Sequence, residues 1–556
     1  MFGFFIKRIW LIIAILLFNS SFANAEGDNT GGSATDLVTG GSSGAEIISL
    51  SELLADLTHR KYKIKTAAIE NIIAAEFDSK NQLLTSLLNA EVYYRKSDKK
   101  IFYLKKVENG YSIQSLTDSE SKILPKKRGF KKISINNKLR IKLRSAIAAL
   151  ELGNTDRAVR LAAVKQIMKK LTSHDVVTLK KYAQSETDSE IKTLMELALS
   201  IDNLKSDDDK TVLVAIEKLR DSLEPTVANS LRTLLERTDS KQIKLATQAA
   251  LKNIDTKVDL YGKIETVYFG ISLGSVLVLA GIGLAITFGV MGVINMAHGE
   301  LIMIGAYTTY VIQQLMPNSI GMSIIVAIPA AFIVAGLVGI LMERTVIRHL
   351  YGRPLETLLA TFGISLILQQ AVRSIFSPLN RVVVTPEWMS GALEINSVLS
   401  LTWNRLYIIV FCIMVFFAIM AAMKKTSLGL QVRAVSQNRQ MARAMGVKSD
   451  WVDAITFGIG AGIAGIAGVA LSLLTNVGPN LGQAYIIDSF MVVVFGGVGN
   501  LWGTLVAGMS LGIFNKMLEP WAGAVLAKIL ILVFIILFIQ KRPRGLFPQR
   551  GRAAEG

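Results

Sequence analysis

An amide, an imidazole and a carboxyl group, from Asn295, His298 and Glu300, lie within six residues of one another in the otherwise apolar stretch GVMGVINMAHGELIMIGAY at 289–307. Such groups can exchange hydrogen bonds with a small polar solute, or they can fix the start of a helix. An ionised group at the centre of a membrane-spanning helix costs roughly 3 kcal/mol on insertion scales. Residues of this kind therefore sit at a helix end, face a wet cavity or pair with a partner. Asn476 and Asp488 are further polar candidates in apolar surroundings. Asp488 could face a pathway, pair with another subunit or cap a helix, while Lys528 either snorkels or pairs with Glu519. No nucleophile–base pair and no metal-ligand spacing stands out, so the sequence predicts neither a catalytic site nor a metal or cofactor. The single cysteine, Cys412, lies in an apolar run and reads as a buried bystander.

The elements that must position these residues follow from a sharp division in composition. Of 556 residues, those up to about 260 are rich in Lys, Asp, Glu, Ser and Thr, whereas 265–540 are dominated by Ile, Leu, Val, Ala, Gly and Phe. A net charge of +18 could suggest nucleic acid. In the apolar half, however, the basic residues collect in short loops: Arg344, Arg348 and Arg353; Lys424 to Lys448; Lys541, Arg542 and Arg544. That distribution marks cytoplasmic loops of a membrane protein. Apolar segments near 266–288, 294–314, 321–343, 356–376, 405–423, 452–474, 484–498, 501–515 and 523–540 predict about nine crossings, with eight or ten also open. The glycine-rich FGGVGNLWG supplies a turn before 501, and Arg373 falls at the outer boundary. Asn295, His298 and Glu300 then start the second span at its cytoplasmic end. There they form either a polar cluster at the inner mouth or a hydrogen-bonded helix start.

The polar half opens with Lys7 and Arg8, a short apolar run and Ala23-Asn24-Ala25, the layout of a cleaved signal peptide over 1–25. A Gly/Ser/Thr-rich linker occupies 26–46. Residues 47–260 read as an exported helical domain containing a small β-hairpin or meander that turns at Glu108-Asn109-Gly110. Beyond Asn137 the segments TDRAVRLAAVKQIMKKL, TDSEIKTLMELALS, DDDKTVLVAIEKLRDSL and TDSKQIKLATQAALKNI show helical spacing with an Asp, Ser or Thr at each start, three of the starts falling at Asp156, Asp188 and Asp239. They suggest a short HEAT-like stack or an ordinary helical bundle, whose plausible task is docking. The formal GxGxxG at Gly460–Gly465 lies inside a spanning segment, where small residues serve close helix packing better than nucleotide binding.

Three motifs in order, GVINMAHGELIMIGAY, TSLGLQVRAVSQNRQMARAMGV and FGGVGNLWGTLVAG, resemble the permease subunits of branched-chain amino-acid and amide ABC importers over roughly 265–547. AYIIDSFMVVVFGGVGNLWGT and the long N-terminal extension are most similar to the urea-importer permease. The resemblance implies a mostly α fold: a polytopic α-helical membrane permease domain preceded by the exported helical domain. It implies no enzyme activity in this chain. It implies ATPase subunits as partners, and indeed no GxxxxGK[ST] phosphate loop occurs. It further implies a second homologous permease subunit, a periplasmic solute-binding protein, a bacterial inner-membrane location, a periplasmic N-terminal domain and a cytoplasmic C-terminus. The ATPase-coupling helix is placed around Gly429–Gly446. Within it the spacing offers Ala434, Ala442 and Met445 as contacts, Arg433 as a basic neighbour and Gly446 as a stop. Asn295, His298, Glu300, Asn476 and Asp488 are the pathway candidates. The expected cargo is urea or a short-chain amide. A branched-chain amino-acid permease, a passive channel and a receptor-like sensor with an appended output domain are the alternatives.

Overall fold

The computed structural model describes residues 54–547 apart from 55, 60, 76, 78, 108–109, 117–120 and 125–128. The expected signal peptide, the linker and part of the expected turn at 108–110 lie outside the described residues. The chain divides into two compact units, up to Leu143 and from Arg144 onward.

In the first unit, helices Tyr62–Ala74 (α1) and Lys80–Leu88 (α2) precede five strands: Val92–Arg95 (β1), Ile101–Val107 (β2), Gly110–Ser115 (β3), Ser121–Leu124 (β4) and Phe130–Lys132 (β5). The expected hairpin is thus part of a larger antiparallel sheet of order β4-β3-β2-β1-β5. Alternation places Phe102 and Leu104 on one face with Ile113, where they cluster with Tyr93, Leu124 and Phe130.

Helix Asn137–Glu151 (α3) is followed by a stack of Arg157–Lys169 (α4), Ser173–Ser185 (α5), Ser189–Asn203 (α6), Asp209–Leu219 (α7) and Pro225–Arg237 (α8). Asp156 and Asp188 act as expected, accepting backbone N–H groups of the first turn, and within the acidic run at 207–209 it is Asp208 that does so. Asp239 does not, because the N-cap position falls one residue later, on Ser240. The apolar stripes meet in one core that includes Val164, Ile191, Met195, Leu219, Leu231 and Ile254. Ile254 belongs to Lys241–Met291 (α9), a continuous 51-residue helix. At 1.5 Å per residue it is about 77 Å long. Its start closes the stack, and a stretch towards its end, from Gly274 to Thr287, is buried on every side.

The remaining elements are His298–Leu315 (α10), Ile320–Thr345 (α11), Pro354–Phe376 (α12), a short hairpin of Ala392–Glu394 (β6) and Ser400–Thr402 (β7), Trp403–Lys425 (α13), Ser427–Gln437 (α14), Arg439–Ala444 (α15), Ser449–Ser472 (α16), Leu481–Gly496 (α17) and Leu501–Lys541 (α18). The nine apolar segments all become helix, but only six helices among the described residues are long and apolar enough to cross a membrane. Leu481–Gly496 is too short, and His298–Leu315 is diluted by His, Glu, Thr and Gln. The last two segments join in α18, whose backbone breaks at Gly523 (φ 77°), three residues after Pro520. The chain doubles back there: Asn500 Nδ2 donates to the carbonyl of Phe547, and the Phe547 amide to that of Gly496. Those bonds place both ends of α18 together.

Helix α16 is the hub, packing on α9, α10 and α11. Its glycines explain how. A Cβ on Gly460 would lie 2.7 Å from the carbonyl oxygen of Gly283, and one on Gly468 would collide with the Ile302 carbonyl oxygen at 2.0 Å. The GxGxxG is therefore a surface for backbone-to-backbone packing. The two glycine-rich turns also meet, since a Cβ on Gly289 would come within 2.5 Å of Gly499 Cα.

Candidate functional site

The entry to α10 is built by a chain reversal. Helix α9 ends at Gly292 in the left-handed region (φ 64°), and the Asn295 side chain accepts the Ala297 amide (3.0 Å) to brace the turn. His298 follows, fully buried, its Nε2 2.9 Å from the carbonyl of Ala280 on α9. A carbonyl only accepts, so Nε2 carries the proton. Asn295 and His298 thus tie the start of α10 down.

Glu300 differs. Its carboxyl group faces α12, where Oε1 accepts from Gln369 Nε2 (2.7 Å) and Ser365 Oγ (3.0 Å). One turn earlier on α12, Thr361 Oγ1 accepts the Met296 amide (3.1 Å). Thr357, Thr361, Ser365 and Gln369, spaced by four, form a buried polar stripe, while Leu355, Leu359, Leu366, Ile367 and Ile375 point outward. Helix α12 is amphipathic in the inverted sense, with polar groups inside and apolar groups outside, as a helix between lipid and a polar interior must be. Among the described residues no protein group bonds Asn295 Nδ2, His298 Nδ1, Glu300 Oε2 or Tyr307 OH, all buried. Buried polar groups are normally satisfied, so the start of α10, with Glu300 and Tyr307 facing α12, holds hydrogen-bonding capacity in reserve. Among the described residues no group of three or more His, Cys, Asp or Glu is disposed to hold a metal ion.

The other candidates lie elsewhere. Asn476 is exposed in the loop after α16, next to Val477, whose backbone pairs with Arg381. Asp488 turns toward α18: its Oδ2 accepts from Lys528 Nζ at 2.8 Å, beside a small cavity that Asn515 also lines. The expected Lys528–Glu519 pair does not form; Glu519 pairs with Lys516 (2.5 Å). The reversal at Gly523 brings Lys528 back along α17 and leaves Glu519 near the bend. The stripe Thr357, Thr361, Ser365 and Gln369 escaped the sequence reading, although its four-residue spacing within an apolar segment was a usable signal.

The basic loop read as one helix is two, α14 and α15, broken at Asn438, whose side chain caps the second by accepting the Met441 amide (3.0 Å). Gly446 (φ 85°) ends it as expected. Gly429 is pressed against the end of α13, where a Cβ would meet the Met423 carbonyl oxygen at 2.0 Å, and exposed Arg433 donates to that same carbonyl. Ala442 is buried with Val432, Val435 and Val452, and half-buried Ala434 packs against the same cluster. Both therefore hold the loop together. The outward apolar residues are Met445 (78% exposed), Leu430 (63%) and Met441 (60%), of which Leu430 and Met441 are additions to the sequence reading.

Residues 266–539 match the family described as branched-chain amino acid transport system / permease component. The chain is 28% identical over 297 residues to the high-affinity branched-chain amino acid transport system permease protein BraD of Pseudomonas aeruginosa, covering 52% of this chain and 96% of that one. It is 29% identical over 294 residues to the corresponding permease LivH of Salmonella typhimurium (51% and 94%) and 28% identical to LivH of Escherichia coli (51% and 94%). No solved structure matches. These relatives are transport permeases rather than enzymes, and with the six apolar helices they support a multi-pass membrane protein.

Proposed function

We propose, from the premise that residues 266–539 are a permease component of the branched-chain amino acid transport type, that this chain is the membrane subunit of an ATP-driven importer. Its cargo passes along the seam between α10 and α12. The single observation that carries this reading is the inverted polarity of α12, which turns Ser365 and Gln369 onto the Glu300 carboxyl group and Thr361 onto the Met296 amide. The cargo favoured by the relatives' names is a branched-chain amino acid. Glu300 Oε2 suits its ammonium group, and Asn295 Nδ2 and Tyr307 OH suit its carboxylate. ATP is bound by separate subunits that dock on Leu430, Met441 and Met445. A second permease, an external solute-binding protein and an inner membrane complete the proposal, with the basic loops cytoplasmic and the helical stack periplasmic.

A second reading keeps urea or a short amide as cargo. It is favoured by the residues before 266, which the family match does not include, and by a seam whose neutral donors and acceptors suit an uncharged solute equally well. Uptake of labelled leucine and labelled urea, in cells with and without this chain and with and without ATP depletion, decides. Loss of ATP-dependent leucine uptake alone supports the first reading, and loss of urea uptake alone supports the second. Flux that needs the chain but survives ATP depletion overturns both in favour of a channel.

A further inference from the structure

We propose that Arg439 and Asp453 form the joint through which movement of the docked loop reaches the polar seam; this rests on the permease reading above. Asp453, in the second turn of α16, is fully buried. The Arg439 guanidinium, at the start of α15, donates from Nη2 to Asp453 Oδ1 at 3.0 Å, and its Nη1 makes an ion-pair contact with Oδ2 at 2.9 Å. The same guanidinium lies over the ring of Tyr351, 4.6 Å from its centroid. Tyr351 belongs to the turn that leads into α12.

One side chain therefore joins the lead-in to one wall of the seam, α12, to the helix that backs the other, α10. Asp453 lies near the start of α16, which backs α10 so closely that a Cβ on Gly305 would fall 2.1 Å from the Gly465 carbonyl oxygen. Tyr351 precedes α12, the wall bearing Ser365 and Gln369. Backbone contact without intervening side chains transmits displacement rather than absorbing it. The neighbouring charges are otherwise engaged: Arg443 pairs with Asp450 at 3.0 Å, and Arg344 lies over Trp451 while contacting Glu343 at 3.7 Å. The task calls for arginine. Its planar fork spans a carboxylate while its face stacks on an aromatic ring, which a lysine ammonium cannot do at once. Arg439 and Asp453 are positioning residues, since neither lies in the seam.

The test uses the complete transporter, purified with its ATPase subunits and reconstituted in vesicles, with ATP hydrolysis and solute uptake measured together. Arg439→Lys keeps the charge and loses the fork; Asp453→Asn keeps the shape and loses the charge. For both, hydrolysis should stay within about twofold of wild type while solute moved per ATP falls at least tenfold. An unchanged ratio in Arg439→Lys overturns the joint. So does a parallel loss of uptake and hydrolysis, or loss of assembly in Asp453→Asn with a normal ratio in Arg439→Lys, since those are signs of a merely structural contact. A wild-type complex without ATP-dependent uptake of leucine or urea instead overturns the permease reading itself.

Discussion

Glu300 shows how much of a site one residue can announce. A carboxyl group in an apolar run demands partners, and the structure supplies Ser365 and Gln369 from 65 and 69 residues away. Removing the acceptor strands buried donors, at about 1–3 kcal/mol for each unsatisfied group. Glu300→Ala should therefore lower ATP-dependent uptake by at least tenfold at an equal amount of protein in the membrane, with Glu300→Gln intermediate; initial uptake rates check it. His298 has a narrower role, because its proton on Nε2 is committed to Ala280. Outside the membrane, Arg160 holds the Glu186 carboxyl group below its ordinary range, aided by the Asp188 and Thr187 amides. A carboxylate favoured by the fold adds stability above its ordinary pKa of about 4.3, lost as the pH falls through the lower folded value. Thermal unfolding of the full chain should weaken more steeply below about pH 5 in wild type than in Arg160→Ala.

Among the elements, α16 was partly legible in sequence: its glycines promised close packing, but not which helices would take each one. Gly305 and Gly465 meet backbone to backbone, whereas a Cβ on Gly363 in α12 would touch nothing within 4 Å. Gly305→Ala should force α10 from α16 at a cost of about 1–3 kcal/mol. Gly363→Ala should be neutral or stabilising by about 0.5–1 kcal/mol, because alanine restricts the unfolded helix segment more than glycine does. Thermal stability of the purified variants in detergent separates the two. The basic loop of α14 and α15 shows the opposite case. Its apolar residues were visible, but Ala442 and Met445 look alike in a helical pattern, and only the break at Asn438 turns one inward and the other out.

At the scale of the whole molecule, the relatives are matched over 94–96% of their lengths by only about half of this chain. The permease fold therefore has no general need for what lies before residue 266, even though α9 continues the last helix of the stack into the membrane core. Deleting residues 47–240, with 1–46 kept, should leave the membrane half folded and inserted, as read by protease protection and thermal stability. Collapse of the membrane half would show instead that α9 needs the stack to be held upright.

Hydropathy, the clustering of basic residues in loops and the spacing of capping residues are local quantities. They sufficed for a mostly helical membrane protein, for a glycine-packed hub and for Asn295, His298 and Glu300 as residues requiring an explanation. Partnership is not local. Lys528 met Asp488 rather than Glu519 because the chain reverses at Gly523, and Thr361, Ser365 and Gln369 became a site only when α12 lay against α10. A helix fixes which residues share its face; the packing of distant helices decides what that face meets, and only the tertiary structure contains that information.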